Sequence, residues 1–266
     1  MLERVVVPIN FTSDSDRAIP IAMAMAGRVR ASVELVTVVE PIGRDEAEVN
    51  LGRMARHLGD AVSWRVLESG GPPEAALLTE FHRRRGSLWC VGSHGRGALG
   101  EALLGSLSEE LVRDAHEPVL LVGPHAGQVS DGAVLAVALD GTPRSEAILP
   151  AAIELGNDLR MNMRLLEVVD ADPPDPPPDV SPTAYLARVA ARVPGTENVD
   201  YDVLHGRDAA RALAQYVSHR PEIGMVALVT RGLTGGARLR HGSTAFEVVQ
   251  HSGVPVLVLH SLKTAA

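Results

Sequence analysis

Apolar positions in this chain follow two periods that alternate from one end to the other. Short runs such as Val5-Val6-Val7 and Leu88-Trp89-Cys90-Val91 are apolar throughout, the pattern of strands covered on both faces. Between them lie longer stretches in which apolar residues recur at the spacing of an amphipathic helix. The pattern predicts strand 4–9 and a helix over 14–29 with Met, Ala and Ile on its inner side. Then come strand 33–39, a polar helical stretch around 45–59, a strand near 62–67, a helix near 73–84, strand 88–92, a helix near 106–115 and strand 118–122. The remainder gives 133–139, 144–157, 163–169, a helix near 182–192, 199–204, 207–218, 225–230, 243–251 and 255–259. Five strands with intervening helices, written twice, imply an α/β protein with parallel, doubly wound sheets.

The two parts repeat one another. Val5-Val6-Val7-Pro8-Ile9-Asn10 pairs with Leu135-Ala136-Val137-Ala138-Leu139-Asp140 at an offset of 130 residues. Gly95 pairs with Gly232, Gly105-Ser106 with Gly242-Ser243, and Pro118-Val119-Leu120-Leu121-Val122 with Pro255-Val256-Leu257-Val258-Leu259, now at 137. A period this long is a duplicated domain and not a solenoid repeat. The polar, Gly-containing run 124–132 divides the chain into domains 1–125 and 131–266. A second irregular run, Asp172-Pro173-Pro174-Asp175-Pro176-Pro177-Pro178-Asp179, has too many prolines for helix or strand and reads as a stiff surface loop.

Composition narrows the function. The 266 residues are 45% hydrophobic with only 3% aromatics, so the core is aliphatic. A net charge of −8 argues against nucleic acid as a partner, because phosphate backbones are held by clustered Lys and Arg. No apolar run has the length of a membrane span, and no basic segment followed by an apolar one opens the chain. With a lone cysteine, Cys90, no disulfide forms within the chain, and a reducing, cytoplasmic setting is expected. Cys90 itself reads as a small buried hydrophobe.

The informative motif follows the fourth strand: Gly92-Ser93-His94-Gly95, nine residues, then Gly105-Ser106 at a predicted helix start. Glycines let the backbone approach a ligand closely, and a helix start offers unpaired N–H groups to an anion. Together they describe a phosphate cradle. His94 and His241 read as solvated loop residues, and the His82-Arg83-Arg84-Arg85 run as a charged helix end. No Walker loop, no metal-ligand spacing and no general base are apparent, so binding without turnover is expected.

On these residues the chain resembles a tandem universal stress protein. The ATP-binding subgroup carries G-x2-G-x9-G-[S/T] after the fourth strand, matched by Gly92, Gly95, Gly105 and Ser106. It also carries an aspartate after the first strand, matched by Asp140, Gly141, Thr142 and Ser145 in the second half; in the first half Asn10, Phe11, Thr12 and Ser15 stand there. The resemblance implies five strands per sheet in the order 3-2-1-4-5, with the ligand crevice at the switch point between strands 1 and 4. It implies ATP as ligand, with any Mg²⁺ carried by the phosphates. The residues implied are Pro8, Ile9, Asn10, Val38 against adenine, Gly92, Gly95, Arg96, Gly105, Ser106 and Leu107 in the first half, and Asp140, Val168, Gly232, Gly242, Ser243 and Thr244 in the second. Val229 replaces the first glycine of the second motif, where a β-branched side chain crowds the ribose; Arg231, Arg238 and Arg240 surround that loop with cations. Family dimers pair through the last strand, so an intramolecular pseudo-dimer is expected, with free sheet edges leaving room for a homodimer. The alternatives are a slow ATPase and an interaction protein that has lost nucleotide.

Overall fold

The computed structural model describes residues 1–39, 43–84, 86–93, 111–112, 114, 117–170, 182–194, 199–230 and 244–260. In chain order the first half gives β1 (Arg4–Pro8), α1 (Ser13–Asp16), α2 (Ala18–Val29), β2 (Ser32–Val39), α3 (Arg44–Leu58), β3 (Val62–Glu68), α4 (Pro73–Arg83), β4 (Ser87–Gly92) and β5 (Val119–Val122). The second gives β6 (Val134–Leu139), a 3-10 turn (Ser145–Ile148), α5 (Leu149–Asp158), β7 (Asn162–Val169), α6 (Pro182–Ala190), β8 (Val199–His205), α7 (Ala209–Ser218), β9 (Ile223–Thr230), α8 (Thr244–His251) and β10 (Val256–His260). The helix expected over 106–115 lies largely outside the described residues.

The two five-stranded sets join into one ten-stranded sheet, ordered β3-β2-β1-β4-β5-β10-β9-β6-β7-β8. Neighbours within each set are parallel. The sets meet where β5 and β10 pair antiparallel, with Val119 opposite Val258 and Leu121 opposite Val256. The seven buried side chains of these two strands, Val119–Val122 and Val256–Val258, are all aliphatic, which suits a sheet covered on both faces. At the seam a Cβ on Gly123 would stand 1.9 Å from the Val249 carbonyl oxygen of α8, so only glycine fits there.

The sheet divides the core in two. On one face Met25 of α2, Leu51 of α3, Ile148, Ala152 of α5 and Leu186 of α6 pack against Val7, Leu35, Leu135 and Leu165. On the other, Phe81 of α4, Leu213 of α7 and Phe246 of α8 pack against Trp89, Leu121, Ala136 and Val258. Cys90 is fully buried on the first of these faces, and burial pushes its thiol up to about 12.

Two expected helices are interrupted near their starts for one reason. The helix expected over 14–29 breaks between α1 and α2, and that expected over 144–157 opens as a 3-10 turn. Pro20 and Pro150 lack the N–H that would bond the carbonyls of Asp16 and Glu146, and their rings crowd those carbonyls. The helices also end alike. Arg30 and Arg160 are left-handed (φ 58° and 53°), and Ala31 and Met161 donate back to Ala26 (2.9 Å) and Gly156 (2.8 Å).

Each half places an ion network at the second strand, with a buried centre in the first half and exposed carboxylates in the second. Glu34 on β2 accepts from Arg65 Nε at 3.2 Å and from Arg84, and lies 3.5 Å from Arg4 Nη1. Arg84 also donates to Glu80, another buried carboxylate. At the position 130 residues on, Arg164 of β7 donates to Tyr216 (3.3 Å), Glu222 (3.3 Å) and Asp200 (3.4 Å). Tyr216 donates onward to Asp202, and the Arg220 guanidinium lies 3.6 Å over its ring.

Candidate functional site

In a doubly wound sheet ligands bind beyond the carboxyl ends of the strands where the order reverses. Those points lie between β1 and β4, and between β6 and β9. Val6 pairs with Trp89, so the same register carried three residues on brings Ile9 beside Gly92. Val137 pairs with Ala227, and the same step brings Asp140 beside Thr230.

Both first strands end in the same turn. Asn10 Oδ1 accepts from the Thr12 amide at 3.2 Å and from the Thr12 hydroxyl at 2.6 Å. Asp140 Oδ1 accepts from the Thr142 amide at 3.1 Å and the Thr142 hydroxyl at 2.5 Å. Ser15 and Ser145 then close the loop: each hydroxyl donates to a threonine carbonyl (2.9 and 2.8 Å) and accepts from the amide of Asn10 (3.4 Å) or Asp140 (3.1 Å). These are Asx turns, in which a short side chain imitates the backbone and holds the strand exit in one conformation. The following residue is left-handed in both, Gly141 at φ 77° and Phe11 at φ 58°. Glycine adopts this freely; Phe11, with 43% of its surface exposed, is strained.

The remaining implied residues are placed as follows. Pro8 ends β1 and Ile9 is buried, its amide donating to the Val36 carbonyl at 2.7 Å. Val38 and Val168, near the ends of β2 and β7, are half-buried and pack toward the α4–α7–α8 face. Gly92 ends β4 opposite Val122, and Thr244 opens α8 with its side chain exposed. The next residue after Gly92, Ser93, is fully buried; its amide and hydroxyl both donate to the Val122 carbonyl, at 2.8 and 3.1 Å. Val229 lies within β9 and packs on the first core face. Gly95, Arg96, Gly105, Ser106, Leu107, Gly232, Gly242 and Ser243 lie outside the described residues.

The two crevices differ in charge. Among the described residues Asn10 Nδ2 makes no hydrogen bond, so the first offers a neutral donor at the strand end. The second presents Asp140, and the sequence motif did not point to Glu167, which lies beside it. A Cβ on Gly141 would stand 3.2 Å from Glu167 Oε1. Burial, and secondarily the Asp140 charge, hold the Glu167 carboxyl above the ordinary glutamate range. Tyr185 of α6 is buried nearby; desolvation, with the carboxylate Glu146 next, pushes its hydroxyl up to about 12. The offset of 130 pairs Glu167 with Thr37, and that comparison is the signal that could have singled it out.

Among the described residues no helix is long and apolar enough to cross a membrane.

Residues 1–123 and 134–260 both match the Universal stress protein family, and the chain belongs to that family. Universal stress protein Rv2623 of Mycobacterium tuberculosis is 31% identical over 229 residues, covering 76% of this chain and 75% of its own length. A universal stress protein of Mycolicibacterium smegmatis is 29% identical over 176 residues, which span 64% of this chain but only 60% of that relative. Among solved structures, a universal stress protein from Archaeoglobus fulgidus superposes with a TM-score of 0.74 over 98% of this chain and 99% of its own, at 18% identity. At that identity the likeness establishes the fold.

Proposed function

We propose that this protein is a non-enzymatic, cytoplasmic regulator that binds adenine nucleotide, ATP foremost, and answers occupancy by changing the surface it offers a partner. The observation that carries the reading is the repeated Asx turn at the two switch points, set in register beside Gly92 in the first half. The turn fixes Asn10 and Asp140 where a nucleoside would enter, and the chemistry fits. Asn10 Nδ2 is an uncommitted donor for a ring nitrogen or ribose oxygen, and Asp140 is an acceptor for ribose hydroxyls. Val38 and Val168 offer apolar surface to the base, and Gly92 leaves room for the backbone to approach the sugar. The glycine loops that follow, with Arg96, Ser106 and Ser243, supply main-chain and side-chain donors to the phosphates, which bring any Mg²⁺ with them. We assign the domains to residues 1–125 and 131–266 and regard the β5–β10 pairing as an intramolecular pseudo-dimer, with the outer sheet edges leaving room for a homodimer.

The experiment is mass spectrometry of small molecules released when the purified protein is denatured, followed by calorimetric titration with ATP and AMP. Adenine nucleotide in the released fraction, or binding below millimolar concentration, is expected. An empty fraction with no heat at millimolar ATP would leave a nucleotide-independent interaction protein. Phosphate release that rises and falls with site occupancy would make it a slow ATPase.

A further inference from the structure

Glu167 belongs to the second half alone. At the equivalent position of β2 stands Thr37, a neutral side chain buried to 3% exposure. Glu167 presses its Oε1 toward the backbone of the Asp140 turn, while its Oε2 is buried and, among the described residues, receives no hydrogen bond. Among the described residues, the charged and titratable groups around it are Asp140 in the turn, Glu146 in the 3-10 turn and Tyr185 on α6. Among the described residues, Arg192 donates to Glu146 at 2.6 Å. A half-buried carboxylate beside another, with no donor on its buried oxygen among the described residues, is easier to hold neutral than one in water. An anion arriving at Asp140 sharpens that preference, because it adds a further negative charge to the same small region.

We propose that Glu167 is a positioning residue acting through Asp140, and that an anionic nucleotide enters the second crevice together with one proton taken from solvent onto this carboxylate pair. The first crevice, built on Asn10 and Thr37, binds without that proton. The inference rests on the nucleotide reading above. It makes the second half a site whose occupancy falls as the solution becomes alkaline, with a slope of at most about tenfold per pH unit for one proton.

The test uses the full chain and two measurements. In the absence of nucleotide, the Glu167 side-chain carboxyl carbon is titrated by NMR, its signal assigned through Glu167→Gln. Its midpoint should lie above that of an ordinary glutamate and move down in Asp140→Asn; an ordinary midpoint, or one indifferent to Asp140→Asn, overturns the pairing. Then Mg-ATP is titrated from about pH 5 to about pH 8, with the Thr12 and Thr142 amides reporting the two halves. The first half corrects for titration of the nucleotide itself. Affinity at Thr142 should fall relative to Thr12 as pH rises, and Glu167→Gln should remove that difference while retaining binding. Parallel profiles in the wild type, or a difference that survives Glu167→Gln, overturn the inference and leave the nucleotide reading intact. ATP binding at neither amide overturns both.

Discussion

In the first half Glu34 on β2 sits among Arg4, Arg65 and Arg84; at the equivalent place in the second half Arg164 on β7 sits among Asp200, Glu222 and Tyr216. The backbone position is the same and the sign of the central charge is reversed. What the fold requires there is a polar group with partners of the opposite kind, because a side chain at that point on the strand is carried under the sheet's helical cover. The two solutions differ in depth. Glu34, Glu80 and Arg84 expose only 5%, 8% and 11% of their side chains, whereas Asp200 and Glu222 expose 69% and 46%. The first network therefore has a sealed centre, with Arg4 and Arg65 reaching it from a rim where they expose 42% and 50% of their side chains, and the second is open to solvent and anchored by the Tyr216 hydroxyl. The strand-end turns show the same relation: one geometry, with Asn10 and Phe11 in one half and Asp140 and Gly141 in the other.

This difference in depth predicts the largest effect. Arg84→Ala leaves two buried carboxylates without their shared cation and should destabilise the protein by about 3–5 kcal/mol in urea unfolding. A loss below about 1 kcal/mol would mean that Arg4 and Arg65 compensate and the network is not sealed. Arg164→Ala, whose acidic partners can turn to water, should lose about 1–2 kcal/mol in the same assay; a loss equal to that of Arg84→Ala would erase the distinction between the halves. Smaller still, Phe11→Gly removes a left-handed strain of about 1–2 kcal/mol against a glycine entropy of about 0.5–1 kcal/mol, and should stabilise by about 0.5–1 kcal/mol. Gly141→Ala should do the reverse and bring a methyl group against Glu167. No gain from Phe11→Gly would show that the Phe11 ring contributes contacts that offset its backbone.

A pH series sharpens the comparison further. Because the folded state holds the Glu167 carboxyl above its unfolded value, the protonated group favours folding. That contribution is complete below the unfolded glutamate range and is lost as pH rises through the folded value. Glu167→Gln should therefore match the wild type in acid and become the more stable of the two toward neutrality, as followed by thermal unfolding across pH. A constant offset would place the effect in packing alone. Cys90 offers a separate gauge of the first half, since its counterpart in the second is Ala227. With its thiol raised to about 12 and fully buried, it should label with a thiol reagent only on opening of that half.

Much of the fold was legible in the sequence because parallel strands buried on both faces are continuous apolar runs, and because the chain repeats them. The unit of duplication, the strand positions and the glycine motif all follow from that. The helix starts were not, because the periodicity of residues 14–29 continues through Arg17 although Pro20 withholds the bond that would carry the helix across it. The Glu34 and Arg164 networks were hidden because a single charge in an apolar strand does not reveal which distant residues answer it. Val38, Asn10 and Asp140 were singled out through the family resemblance, and they stand near or just past strand ends. Glu167 was not, since its importance lies in a neighbour brought beside it across the sheet and in the absence of a donor for its inner oxygen.

The short antiparallel pairing of β5 with β10 has a wider geometric consequence. Every strand of one half runs opposite to every strand of the other, so the carboxyl ends of the two sets emerge on opposite rims of the molecule. The two mouths look away from each other. One small molecule cannot bridge them, and a macromolecule that registers both must either embrace the whole body or attach as two copies, one at each rim.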